Sequence, residues 1–450
     1  MTSFNDFGLA EPITRALTDE KYVTPTPIQA QTIPIVLEGR DVIGIAQTGT
    51  GKTAAFALPI LNHINANRRR PEKKACRVLV LSPTRELSGQ IVDNFHAYGR
   101  YIRPLAISLA IGGVPINKQI RSLAHGVEVL VATPGRLLDL VQQRALRLDQ
   151  VEVLVLDEAD RMLDMGFIHD IKRVVAMLPK ERQTLFFSAT MPQEITKLAD
   201  AMLRSPTRVS VTPVASTAER ISQRVILTDK ASKGALLAEV LKSEPVERVL
   251  VFTRTKHGAD KVVRVLAQAG LAAEAIHGNK SQNQRQRVLQ SFRDGRIRTL
   301  VATDIAARGI DVDGISHVIN YDLPNIPESY VHRIGRTARA GAEGIAISFC
   351  DHEEAAYLRD IERLIRMQIP STDKRTGRRP AVSSPTPHHN AAKRHNGPSH
   401  NRGHQPRRPN TGNGQHGGRP QPQPQQQNRD RGEPNAIGNV TFMQRPGAPR

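Results

Sequence analysis

Four short strings, RVLVLSPT from Arg77, VEVLVATPGR from Val127, VEVLVLDEAD from Val151 and TLFFSAT from Thr184, are apolar runs rather than alternations of apolar and polar residues. A strand with one wet face alternates; a strand buried on both faces does not. Each run is followed by a helix-like stretch, which predicts an α/β fold with a parallel sheet covered by helices on both sides. Two of the strings return. RVLVLSPT is echoed by RVLVFTRT at Arg248, and LVATPGR at Leu130 by LVATDIAARG at Leu300, both at an offset of about 170 residues. Chance likeness between buried strands gives no reason for a shared offset, so the pattern predicts two copies of one fold in tandem. The first copy takes residues 1–209, a polar linker 210–219, and the second copy 220–370.

Before the first of these runs lies DVIGIA, a short apolar strand, then AQTGTGKT (Ala46 to Thr53), then the helix former TAAFALPIL. Strand, glycine-rich turn, Lys-Thr and helix form a cradle for phosphates. Gly49 and Gly51 let Gln47, Thr48 and Thr50 turn their amides inward, and the helix N-terminus favours an anion. Lys52 reaches the β/γ-phosphates and Thr53 can hold Mg²⁺. Ala46 stands where the strict pattern has glycine. Carrying the loop forward by the repeat offset lands on STAERISQ (Ser216 to Gln223), which has no glycine and no lysine. One nucleoside triphosphate site per chain is expected.

The formal net charge of +20 makes a polyanion the natural partner. Aromatics are 4% of the chain and Trp is absent, so a nucleic acid is expected to be gripped by its backbone more than by ring stacking. Cys76 and Cys350 are far apart within apolar surroundings and read as buried thiols of a reducing compartment. The N-terminus lacks the pattern of a secretory signal and no run is long enough for a membrane span, so the expected location is the cytoplasm. Residues 371–450 change abruptly to Pro, Gly, Gln, Asn, His and Arg, with 14 Lys and Arg against 3 Asp and Glu. Such a composition predicts a disordered basic tail that holds nucleic acid non-specifically. Its one apolar island, around Ile437, Val440, Phe442 and Met443, could serve as a docking peptide.

Asp157 and Glu158 end the third apolar run, at the strand end where open α/β sheets place their ligands. Beside a phosphate loop, Asp157 is the natural carboxylate for Mg²⁺, and Glu158 is placed to orient or deprotonate an attacking water. The string Asp157-Glu158-Ala159-Asp160, with AQTGTGKT before it and Ser188-Ala189-Thr190 after it, resembles a DEAD-box RNA helicase. The resemblance runs from Phe4 to about Asp360. It implies two tandem RecA-like domains forming a helicase core. VHRIGRTARAGAEG and the basic tail are most similar to the bacterial RhlE-type subgroup.

The resemblance implies roles residue by residue. PTPIQ (Pro25 to Gln29) is similar to the family's Q motif, in which Gln29 reads adenine; ATP is then the nucleotide. Phe4 and Tyr22 match aromatic positions upstream, while Lys21 replaces a frequent glycine. Ser82-Pro83-Thr84-Arg85 and Thr133-Pro134-Gly135-Arg136 each set a hydroxyl residue before a proline at a helix start, an N-cap followed by the first helical residue. With Gly112 and Gly113 between them, they match RNA backbone motifs. In the second copy Thr253, Arg254, Gly278, Gln282, Arg285 and Thr303 occupy similar RNA-facing or supporting positions. Contacts of this kind imply RNA with little sequence specificity.

Arg333, Arg336 and Arg339 are spaced to share a helical face. By resemblance Arg336 and Arg339 reach the γ-phosphate as arginine fingers, His332 links to the first copy together with Asp160, Ser188 and Thr190, and Asp311, after Arg308, contacts the ribose. Ala338 replaces the usual glycine. The implied activity is RNA-dependent ATP hydrolysis with local duplex separation or remodelling of RNA–protein complexes, in ribosome assembly, RNA decay or cold adaptation. Ribosomal or RNA-decay proteins are the expected protein partners. A DNA translocase would share the loop but does not usually carry the Gln29 motif. A passive RNA chaperone would not need the intact catalytic set.

Overall fold

Fourteen parallel strands, in two sheets of seven, organise the chain in a computed structural model that describes residues 3–47, 49–211, 221–307, 310, 312, 314–338 and 343–376. The first sheet contains β1 (Val42–Ile45), β2 (Cys76–Leu81), β3 (Ile107–Ala110), β4 (Val127–Ala132), β5 (Val153–Leu156), β6 (Gln183–Ser188) and β7 (Thr207–Ser210). The second contains β8 (Ile221–Leu227), β9 (Val249–Thr253), β10 (Ala273–Ile276), β11 (Thr299–Thr303), β12 (His317–Asn320), β13 (Gly344–Cys350) and β14 (Ser371–Asp373). Their orders are β3-β4-β2-β5-β6-β1-β7 and β10-β11-β9-β12-β13-β8-β14. Adding seven to every label of the first gives the second. The repeated strings are β2 and β9, and β4 and β11, in matching places.

The unbroken apolar runs of the first sheet are accounted for by two cores, one on each face. In β2, β4 and β5, Val78, Val80, Val129, Val131, Val153 and Val155 enter one core, while Leu79, Leu81, Leu130, Ala132, Leu154 and Leu156 enter the other. The pleat sends neighbours to opposite faces, and helices cover both. Cys76 and Cys350 are buried free thiols, pushed up by burial to about 12 and about 11 respectively.

Three expectations need correction. The second sheet runs past residue 370, because Ser371–Asp373 pairs with β8 at the sheet edge. This strand is wholly exposed and polar, so composition gave it no signature. The counterpart of the phosphate loop is not residues 216–223. β8 stands where β1 stands, and their starts, residues 42 and 221, are 179 apart, so the equivalent segment follows Leu227. That segment leads to Lys233, but its buried ammonium pairs with Glu354 at 2.5 Å and Asp351 at 3.1 Å. Finally, the helix Pro327–Ile334 stops before Arg336, so Arg333 and Arg336 are not neighbours on one helical face. Arg333 is instead a core strut, bonded to Asp304, Asn320 and the Asp322 carbonyl. Thr48, Arg308, Asp311, Arg339, most of the linker, and the tail with its Phe442 island lie outside the described residues. Among the described residues no helix is long and apolar enough to cross a membrane.

Candidate nucleotide and nucleic-acid site

The strand ends β1 and β5 place the phosphate loop beside Asp157 and Glu158. Gly49 and Gly51 take φ of 86° and 90°, the left-handed region where a side chain is strained. A Cβ on Gly51 would also run into the Gln29 amide. Lys52 is buried and its Nζ donates to the Ala46 carbonyl at 2.7 Å, while Thr50 Oγ1 donates to the Gln47 carbonyl. Gln29 closes a capping box at Thr26, and its Nε2 donates to the Gly51 carbonyl at 3.1 Å. One amide N–H and one carbonyl lone pair of Gln29 exceed these two bonds, so the side chain can still read a base edge.

Around these groups opens a cleft of about 610 Å³, within the range of small-molecule sites. Tyr22, Gln29, Gly49, Gly51, Lys52, Thr53, Asp157 and Glu158 line it from the first half, Ile310 and Arg336 from the second. Arg336 donates to the Ile310 and His332 carbonyls. Phe4 is not on this wall. Its ring is buried in the first core, packed on Phe7 and on Tyr22 at 5.8 Å, so it backs Tyr22 rather than facing the cleft. Lys21, where the family often has glycine, has φ of 58°, and Ala338 has φ of 55°. Both departures from glycine therefore sit in left-handed backbone.

Burial pushes the Asp157 carboxyl up to about 6, opposed by Lys52 and reinforced by the neighbouring Glu158 charge. Its Oδ1 is buried without a hydrogen-bond partner. Glu158 lies in left-handed backbone at φ 55° as the N-cap of the helix Ala159–Asp164. Asp160 Oδ2 accepts from both the backbone and the hydroxyl of Thr190 at 3.0 Å, and Ser188 Oγ accepts from the Asp160 amide. His332, from the second half, is pushed down to about 3 by burial and then by the adjacent Arg161 cation.

The expected RNA-facing residues collect at strand C-termini. Thr133 is the N-cap and Pro134 the first residue of the helix Pro134–Gln142, and the Thr133 side chain makes no capping bond. Gly135 and Gly278 face open space. Arg136 donates to the Val114 carbonyl. At Pro83 the expectation fails by two residues. Thr84, not Ser82, caps the helix Arg85–Tyr98, accepting from Leu87 N, while Ser82 bonds Ser88. Arg85 packs over Gly113, whose φ of 76° and missing Cβ make room for the guanidinium.

Arg254 is half exposed, held by Glu354 at 2.7 Å, and Thr303 ends β11. Arg285 is buried and pairs with Glu86 of the first half at 2.8 Å, and Gln282 bonds Glu86 and Arg85. These two residues clasp the halves, and Arg285 keeps its charge from solvent. The sequence around Glu86 gives no sign of this contact, and Arg161 is a further residue of the site. Arg161 lies three residues after Glu158 on one helix, the spacing of an ion pair.

A family model described as DEAD/DEAH box helicase matches residues 26–198, and one described as helicase conserved C-terminal domain matches 232–341. An ATP-dependent RNA helicase CshA of Listeria monocytogenes is 45% identical over 381 residues, covering 83% of this chain and 72% of its own. A DEAD-box ATP-dependent RNA helicase CshA of Bacillus subtilis is 43% identical over 377 residues, covering 83% and 75%. Among solved structures, S. cerevisiae Dbp5 bound to RNA and ADP BeF3 superposes with a TM-score of 0.74 at 32% identity, over 84% of this chain and 96% of that one. Mss116 bound to ssRNA and UDP-BeF gives 0.75 at 26% identity, over 83% and 80%.

Proposed function

The chain belongs to the DEAD-box family of ATP-dependent RNA helicases, and from that premise we propose that one split site couples ATP hydrolysis to RNA remodelling. The observation that carries this reading is the cleft itself, walled by Lys52, Asp157 and Glu158 on one side and by Arg336 on the other. Either half alone lacks part of the wall.

In this reading ATP lies in the cleft with its adenine against Tyr22 and Gln29. Its phosphates lie on the amides from Gln47 to Thr53, with Lys52 turned from the Ala46 carbonyl onto the β/γ-phosphates. The residues fit Mg²⁺, since Asp157 offers a buried oxygen without a partner in the cleft that Thr53 also lines. Bound there, the ion would offset phosphate charge. Glu158 orients and deprotonates the attacking water, and Arg336 stabilises charge developing on the γ-phosphoryl group. Arg339 and Asp311 are assigned by resemblance as second finger and ribose contact.

RNA runs across both halves on Pro83, Thr84, Arg85, Gly113, Thr133, Pro134, Gly135, Arg136, Arg254, Gly278 and Thr303. Its bent backbone leaves no room for a continuous duplex. Asp160, Ser188, Thr190 and His332 report closure from one half to the other. Phosphate release then reopens the cleft.

Placement in a RhlE-type subgroup rests on the VHRIGRTARAGAEG string and the basic tail, whereas the relatives reported above are named CshA. Work in the cytoplasm on ribosome-assembly, decay or cold-stabilised RNA, with ribosomal or RNA-decay proteins, suits a generalist of this charge. The test compares ATP binding and RNA-stimulated turnover in Lys52→Ala, Glu158→Gln and Arg336→Ala. Lys52→Ala should lose binding, and the other two should keep binding and lose turnover. Wild-type turnover in Glu158→Gln would sink the assignment.

A further inference from the structure

Glu158 is gripped from its own helix. Its Oε2 accepts from Arg161 Nη1 at 2.9 Å, and the two side chains are 3% and 2% exposed. The backbone reinforces the pair, because the Arg161 amide donates to the Glu158 carbonyl at 3.0 Å and to Asp160 Oδ1 at 3.1 Å. The guanidinium also faces the other half of the molecule. It borders a cavity of about 20 Å³, in which Arg161 is the first half's contribution among the described residues. The facing wall includes Phe252, Asp304, His332, Arg333 and Arg336. Arg161 thus touches the carboxylate on one side and the interdomain seam on the other.

A charge pair strengthens as water is excluded from it. When the second half covers the seam, the hold of Arg161 on Glu158 is therefore at its firmest. Were the halves to part, water would reach the guanidinium and weaken the hold.

We propose that Arg161 is a positioning residue for hydrolysis: covered by the second half, it pins the Glu158 carboxylate through Oε2 in the orientation that serves the attacking water. Closure is in this way transmitted to the base as well as to the arginine that faces it. The inference rests on the reading of Glu158 as the base and adds to it a reason why hydrolysis waits for closure.

The experiment measures ATP turnover of the full chain at saturating RNA in Arg161→Met, Arg161→Lys and Glu158→Gln, and single-turnover hydrolysis in the double variant. Binding of a non-hydrolysable ATP analogue shows that each variant is folded. Arg161→Met should lower kcat roughly 10- to 100-fold, the effect of one hydrogen bond to a charged group, with KM for ATP unchanged within about twofold. Arg161→Lys, which keeps a cation in reach of Oε2, should recover most of the loss. In the Glu158→Gln background Arg161→Met should change nothing further. An equal loss in both backgrounds, or a loss confined to KM for RNA, overturns the proposal. Undiminished turnover in Glu158→Gln refutes the base assignment instead, whatever Arg161 does.

Discussion

Replacing Glu86 by Gln removes the acid of the Arg285 pair and should weaken closure while sparing the folding of either half. The pair spans the halves at 2.8 Å with side chains only 9% and 4% exposed. Glu86 Oε2 and Arg285 Nε nonetheless lack well-aligned hydrogen bonds, so the contact is chiefly ionic. Truncating one partner of a buried charge pair costs ~2–5 kcal/mol, and the imperfect alignment favours the lower end. At ~2–3 kcal/mol the closure equilibrium shifts by roughly 30- to 150-fold. Burial pulls the Arg285 guanidinium below its usual value, against the pull of Glu86, so losing Glu86 leaves a buried cation poorly paired.

The assay is RNA affinity in the presence of an ATP analogue, with a fluorescence pair reporting the distance between halves. Glu86→Gln should weaken coupled RNA binding by that factor and leave ATP affinity without RNA unchanged. Exchanging the two residues, Glu86→Arg with Arg285→Glu, should restore much of it. If Arg285 instead gripped a phosphate, Arg285→Gln would lower the salt slope of RNA binding by about one and Glu86→Gln would leave affinity intact. That pattern refutes the clasp.

Three further outcomes are expected. Gly51→Ala adds ~1–2 kcal/mol of left-handed strain and displaces Gln29, so KM for ATP should rise roughly tenfold or more with the melting temperature little changed; an unchanged KM would show that Gln29 does not matter there. His332 is pushed from its ordinary 6.5 down to about 3 in the closed form, so closure is fully favoured above pH 6.5 and weakens as pH falls toward 3, at up to ~1.4 kcal/mol per unit. RNA-stimulated turnover should show this acid limb and His332→Asn should flatten it; a limb identical in both assigns it elsewhere. Deleting residues 377–450 should reduce the salt slope of RNA binding while basal ATP hydrolysis persists, and an unchanged slope argues against an electrostatic arm.

The sheets were legible because strands buried on both faces read as unbroken apolar runs, and the phosphate loop because its φ values demand glycine at residues 49 and 51. β14 was not legible, since an exposed edge strand of Ser, Thr and Asp looks like the tail that follows it. The loop counterpart was misplaced because one offset, taken from β2 and β9, does not hold across a chain whose copies differ in connection length. Capping at Thr84 instead of Ser82 shows that a hydroxyl before proline marks a helix start only to within a turn. The Glu86–Arg285 contact belongs to tertiary geometry, whereas the Arg161–Glu158 pair, three residues apart, is open to a reading from spacing. Nothing local announces that residues 199 positions apart, 86 and 285, will meet across a seam.

The twin strand orders give this chain the layout of two like subunits joined head to tail, with the phosphate loop kept in one and Arg336 lining the same cleft from the other. In an assembly of separate subunits, a neighbour that completes the site can be lost by dilution. Here it is tethered, and its effective concentration is a property of the chain. Specific activity should therefore be the same at nanomolar and micromolar protein, leaving RNA and nucleotide, not protein abundance, to decide when the site assembles.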